Sequence, residues 1–131
     1  MRAIRTAGIV ALGGVLALAA LASAHVVKYP TKSLSVQYSP GDDPAFFSGK
    51  VEAKKRACRA KRRVVVYSDV PGVDVEVGSD RTSSDGSFKL VAPGVAAGTY
   101  YADADRKTLK LTVDHRHVCR AVRSPSIQAG S

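Results

Sequence analysis

From residue 33 onward the chain alternates apolar and polar positions in short runs. Leu34-Ser35-Val36-Gln37-Tyr38 alternates strictly, and Phe47, Gly49, Val51 and Ala53 share one face against Ser48, Lys50 and Glu52. Val64 to Tyr67 is a continuous apolar run, the mark of a central strand. Val73, Val75 and Val77 oppose Asp74 and Glu76, and Phe88 and Leu90 flank Lys89. Tyr100, Ala102 and Ala104 alternate with Tyr101, Asp103 and Asp105, and Leu109, Leu111 and Val113 with Lys110 and Thr112. A last strand is expected near Val118–Val122. Period-two alternation over a few residues predicts half-buried strands, and no stretch sustains a helical period.

Pro40-Gly41, Pro71-Gly72, Asp85-Gly86 and Pro93-Gly94 punctuate these runs as turns. Beyond residue 24 there are 16 Val against four Leu and one Ile, a bias that suits pleated surfaces and not helices. The pattern predicts an all-β domain of about seven or eight short strands, arranged as two antiparallel sheets packed face to face. A small closed barrel is the alternative. No crossover helices are available, so no parallel pairing is expected.

The first 24 residues read differently. Met1-Arg2-Ala3-Ile4-Arg5 is positively charged, Ala7 to Ala22 is apolar or Gly, and Ala22-Ser23-Ala24 is a small-x-small cleavage pattern. This predicts a secretory signal peptide cut after Ala24, with an uncleaved anchor helix as the other reading. The mature chain then starts at His25, is secreted or extracytoplasmic, and has no transmembrane segment after cleavage. The expected organisation is a signal peptide over 1–24, a segment with one strand over 25–44, the β-sandwich over 45–124 and a flexible tail over 125–131.

Export changes the meaning of the two cysteines. Cys58 and Cys119 are expected to form one structural disulfide, with free-thiol or metal roles as the alternatives.

The residues from Phe47 to Cys119 carry a resemblance. Phe47-Ser48-Gly49-Lys50-Val51, Arg63-Val64-Val65-Val66-Tyr67, Thr82-Ser83-Ser84-Asp85-Gly86-Ser87-Phe88 and Ala97-Gly98-Thr99-Tyr100-Tyr101-Ala102 stand in order around the cysteines. This arrangement resembles the small transthyretin-like or carboxypeptidase-regulatory-like modules of secreted bacterial proteins. The resemblance implies an Ig-like or prealbumin-like β-sandwich and no particular activity. The hydroxyisourate-cleaving relatives of transthyretin carry His and Arg motifs and a C-terminal signature that this chain lacks, so no catalytic residue is carried over.

Charge supplies the strongest candidate chemistry. The chain holds 20 Lys+Arg against 11 Asp+Glu, a net charge of +9. Lys54, Lys55, Arg56, Arg59, Lys61, Arg62 and Arg63 place seven cations in ten residues. Such a segment suits an anionic polymer of the cell envelope, or equally serves as a solvated connection between strands. Another surface protein is the other partner considered. Nucleic acid is not expected, because the chain is exported and no aromatic residue interrupts the cluster for base stacking.

A second constellation points to metal. His115 and His117 share a strand face, Asp114 precedes them, and cleavage after Ala24 would put His25 at a new amino terminus. Imidazole suits copper, so a small secreted copper-binding protein or enzyme is the alternative to the binding module. Asp103 and Asp105 could act as paired carboxylates, but Arg106 and Lys107 beside them favour surface ion pairs. Tyr101 is expected at the surface beside these acids. No nucleophile motif and no phosphate-binding glycine loop is found. The expectation is therefore a non-enzymatic module without a cofactor.

Overall fold

The computed structural model describes residues 25–110, 112 and 115–130. The expected signal peptide lies outside the described residues. The strands, in chain order, are β1 His25–Tyr29, β2 Ser33–Ser39, β3 Phe46–Glu52, β4 Arg63–Val70, β5 Val73–Arg81 and β6 Ser87–Val91. They continue with β7 Gly98–Ala104, β8 Lys107–Lys110, β9 His115–Cys119, β10 Val122–Arg123 and β11 Ile127–Ala129. One four-residue helix, α1 Arg56–Arg59, bridges β3 and β4.

Two sheets form the sandwich. One runs β10-β7-β4-β5, with β11 also paired to β7, and the other runs β2-β3-β6. Their inner faces meet as the alternation requires. Leu34, Val36, Phe47, Val51 and Phe88 from one sheet pack on Val64, Val66, Tyr100, Ala102 and Ala104 from the other. Burying side chains of this size contributes roughly 1.5–3 kcal/mol each. Small Ala102 and Ala104 on β7 leave room for the rings of Phe47 and Tyr100, whose centroids lie 5.3 Å apart.

A third sheet, β1-β9-β8, stands beside the sandwich around its own small core of Ala53, Cys58 and Cys119, with Tyr29 and Leu109 against it. Here one expectation fails. β1 pairs β9 in parallel, His25 beside His115 through Tyr29 beside Cys119. Parallel pairing needs a long connection, and here the entire sandwich between the two strands serves as that connection instead of a helix. Segment 25–44 accordingly holds two strands, β1 and β2. The expected flexible tail is also corrected in part. Ile127–Ala129 pairs β7 opposite Gly98–Tyr100, because Ile127 and Ala129 cover the end of the main core.

The disulfide is present, with Cys58 Cα and Cys119 Cα 5.4 Å apart. It ties α1 to β9 and so fastens the third sheet to the sandwich. Among the described residues no helix is long and apolar enough to cross a membrane.

Candidate functional site

The seven cations of residues 54–63 are contiguous in sequence and dispersed in space. Three are buried or held by other side chains. Arg62 is 0% exposed. Its Nη1 donates to the Cys58 carbonyl at 2.7 Å and Thr31 Oγ1 at 3.1 Å. Its Nη2 donates to the carbonyls of Asp105 at 2.7 Å and Arg120 at 3.1 Å, while Nε has no partner. One guanidinium thus joins the β1–β2 turn, α1, the end of β7 and the end of β9. Burial lowers its pKa, and Asp105 opposes that shift. As a buried group it presents no charge to a ligand, so it leaves the set expected to bind anions.

Arg63 lies on the outer face of the five-stranded sheet, paired with Asp105 at 2.9 Å and Glu76 at 3.8 Å. Lys55 turns toward the third sheet, its Nζ 3.2 Å from His117 Nδ1 and 4.0 Å from the centre of the Tyr29 ring.

Lys54, Arg56 and Lys61 are exposed and Arg59 is half-buried, its Nη1 donating to the carbonyls of Ala53 and Lys54; none of the four belongs to an ion pair among the described residues. They divide between two clefts either side of α1. One, of about 620 Å³, is lined by Lys32, Lys50, Val51, Glu52, Ala53, Lys54, Arg59 and Asp85. The other, also about 620 Å³, is lined by Arg56, Ala57, Ala60, Lys61, Thr82 to Ser84 and Lys107. In the second, Lys107 is already occupied. Its Nζ donates to the carbonyls of Ala57 at 3.0 Å and Ala60 at 2.8 Å, satisfying carbonyls at the end of α1. Burial lowers the Lys107 pKa, and the charges of Arg62, Lys61 and Arg81 add to the shift.

The first cleft has a fixed wall. The Asp85-Gly86 turn packs against β3, with Val51 N donating to the Gly86 carbonyl at 2.9 Å. Gly86 has φ 92°, and a Cβ there would lie 2.2 Å from the Val51 carbonyl oxygen, so only glycine fits. Asp85 accepts hydrogen bonds from Ser83 Oγ and from Ser87 N and Oγ. Those bonds, Ser83's foremost, push its pKa down to about 2, with Lys50 helping. Lys32 and Lys50 were not singled out from the sequence. The signal was there only in pairing: Ser33 lies opposite Glu52, which brings Lys32 beside the end of β3.

The three histidines do come together, and their geometry is specific. His25 stacks on His115 with centroids 5.0 Å apart, and His115 Nε2 lies 2.7 Å from His117 Nε2. An ammonium is a donor only, so His117 Nδ1 accepts from Lys55 and its proton sits on Nε2. His117 then donates to His115 Nε2. In this tautomer His117 Nε2 carries its proton and the His115 Nε2 lone pair accepts it, and Lys55 puts a positive charge against the pair. Among the described residues no group of three or more His, Cys, Asp or Glu is arranged to hold a metal ion. Asp114 lies outside the described residues. Partial burial lowers the His117 pKa, and the charges of Lys55, His115 and His25 act in the same sense.

The acids of β7 pair as surface charges with other partners than their chain neighbours: Asp103 with Arg123 at 2.8 Å, Asp105 with Arg63. Tyr101 is covered rather than exposed, at 5%. Arg123 lies over its ring and its hydroxyl donates to Asp74, which raises its pKa to about 12. No family model, curated protein or solved structure matches this chain.

Proposed function

We propose that the protein is an exported, non-catalytic β-sandwich module of the transthyretin-like or carboxypeptidase-regulatory-like kind, which binds an anionic polymer of the cell envelope through the cations around α1. The observation that carries this reading is that Lys54, Arg56, Arg59 and Lys61, three of them exposed, form no ion pair among the described residues, in a chain with a net charge of +9. Unpaired like charges repel one another, and a polyanion relieves that repulsion as it binds. The amino-terminal cleavage pattern supports export, and the motif order between Phe47 and Cys119 supports the family likeness.

Retention of the exported protein on immobilised anionic polymer, measured against salt, tests the proposal. Binding should weaken steeply as salt rises, since charges are screened and counterions no longer gain by release. The quadruple variant Lys54→Gln, Arg56→Gln, Arg59→Gln, Lys61→Gln should elute early. A control of equal charge loss, Lys28→Gln, Lys89→Gln, Arg106→Gln, Arg116→Gln, should elute close to the parent. Equal losses in both would reduce the effect to net charge and overturn the reading, as would no retention at all.

A further inference from the structure

Resting on that reading, we infer that the binding seat is the cleft between Lys32, Lys50, Lys54 and Arg59, and that its ligand is a phosphodiester-linked polyol polymer. Four cations from four separate pieces of chain converge there: the β1–β2 turn, β3, the residue after Ala53, and α1. None of the four belongs to an ion pair among the described residues. The two acids of the cleft, Asp85 and Glu52, offset part of this charge and leave an excess of two cations. Asp85 is hydrogen-bonded within its own turn, and Glu52 accepts from the Ser33 hydroxyl at 3.5 Å.

Three of the four cations are lysines, which bind phosphate as compact point charges. The guanidinium fork that matches carboxylate and phosphate alike belongs to Arg59 only. Its Nη1 is directed back to the carbonyls of Ala53 at 3.1 Å and Lys54 at 3.5 Å, so planar two-point recognition of a carboxylate is not offered there. A membrane surface fits less well. The exposed large apolar residues, Val26, Val70, Val73, Val75 and Val91, are none of them in the cleft lining, so nothing there would enter a bilayer.

The experiment titrates the exported protein with a glycerol-phosphate polymer, with polygalacturonate at equal charge concentration, and with phosphatidylglycerol vesicles. The phosphodiester polymer should bind most tightly. Lys32→Gln with Lys50→Gln should weaken it about tenfold, as two exposed charge contacts warrant, with an unchanged thermal midpoint. Glu52→Gln should tighten it. Tighter binding of polygalacturonate or of vesicles overturns the ligand assignment. If binding depends on Lys54 and Arg59 but ignores Lys32 and Lys50, the cleft assignment falls while the broader function stands. If neither polymer binds, both fall together.

Discussion

On the outer face of the five-stranded sheet, Arg63 reaches Asp105 and Glu76, Arg123 grips Asp103, and Tyr101 bonds to Asp74. Around α1, Lys54, Arg56, Arg59 and Lys61 form no ion pair among the described residues. Both regions are polar and both sit on the same small domain. On the sheet, ladder pairing fixes side chains from neighbouring strands at contact distance, so opposite charges are held together. Residues 53–63 contain no acid, and the two acids of the first cleft, Glu52 and Asp85, form no ion pair with them among the described residues. The sheet face pairs its charges internally. The α1 side keeps cations without ion pairs among the described residues, which costs some stability.

Between the two regions lie the disulfide and Arg62, and removing either should break the contrast most strongly. Cys58 and Cys119 are separated by 61 positions, and closing a loop of that size stabilises by about 4 kcal/mol in the chain-entropy model. Cys58→Ser with Cys119→Ser should therefore lower urea stability by about that amount. Hydrogen exchange should rise first in α1 and β9, on the cation side, and last in β4 and β7. Arg62→Ala should follow. It removes the donors to the carbonyls of Cys58, Asp105 and Arg120, of which the Cys58 bond is buried, a loss of about 3 kcal/mol, whereas Arg63→Gln should stay within about 1 kcal/mol. Urea unfolding of the two single variants gives the comparison directly. Equal losses would mean that Arg62 is no anchor.

Much of this was legible in the chain. The alternation at Leu34–Tyr38, Phe47–Ala53 and Tyr100–Ala104 reports the two inner faces directly, because one buried face imposes a period of two. Arg62 was misread through its company. It stands two residues before Val64, hence on the inward side, but a charged run reads as solvated. Lys50 shares the polar face of β3 with Glu52, four positions before Lys54, but Lys32 joins them only through the pairing of β2 with β3, which local pattern does not encode. The parallel β1–β9 pair was hidden for the same reason. His25 and His115 are 90 positions apart, and only the closed sandwich brings them together.

A smaller effect sharpens the contrast in charge. Lys32→Gln, Lys50→Gln, Lys54→Gln and Arg59→Gln together should leave stability within about 0.5 kcal/mol per site, since exposed substitutions usually do. Polyanion affinity should fall by more than tenfold, equivalent to about 1.4 kcal/mol or more. Arg63→Gln with Arg123→Gln removes two cations from the paired face and should leave affinity nearly unchanged. Isothermal titration read beside thermal melts separates the two. An equal affinity loss per charge on both faces would erase the distinction between charges in ion pairs and charges outside them.

The finest test is at His117, where a cation of the basic segment meets the third sheet. Lys55 donates to Nδ1, so the neutral Nε2–H tautomer is the one that completes the chain to His115. A proton added at Nδ1 would face the ammonium, and the lowered His117 pKa follows that geometry and the partial burial. The folded state then takes up this proton at lower pH than the unfolded chain, whose imidazole titrates near 6.5. Where the unfolded chain binds more protons, stability rises with pH. The contribution of His117 is therefore complete above about pH 6.5 and declines as pH falls below it. Proton NMR of the imidazole carbons should show His117 titrating below the ordinary histidine range. Lys55→Gln should move that midpoint upward, because the opposing charge is gone. His117→Gln should flatten the acid side of the stability profile, and a midpoint at the ordinary value in the parent would break the proposed direction of the Lys55–His117–His115 chain.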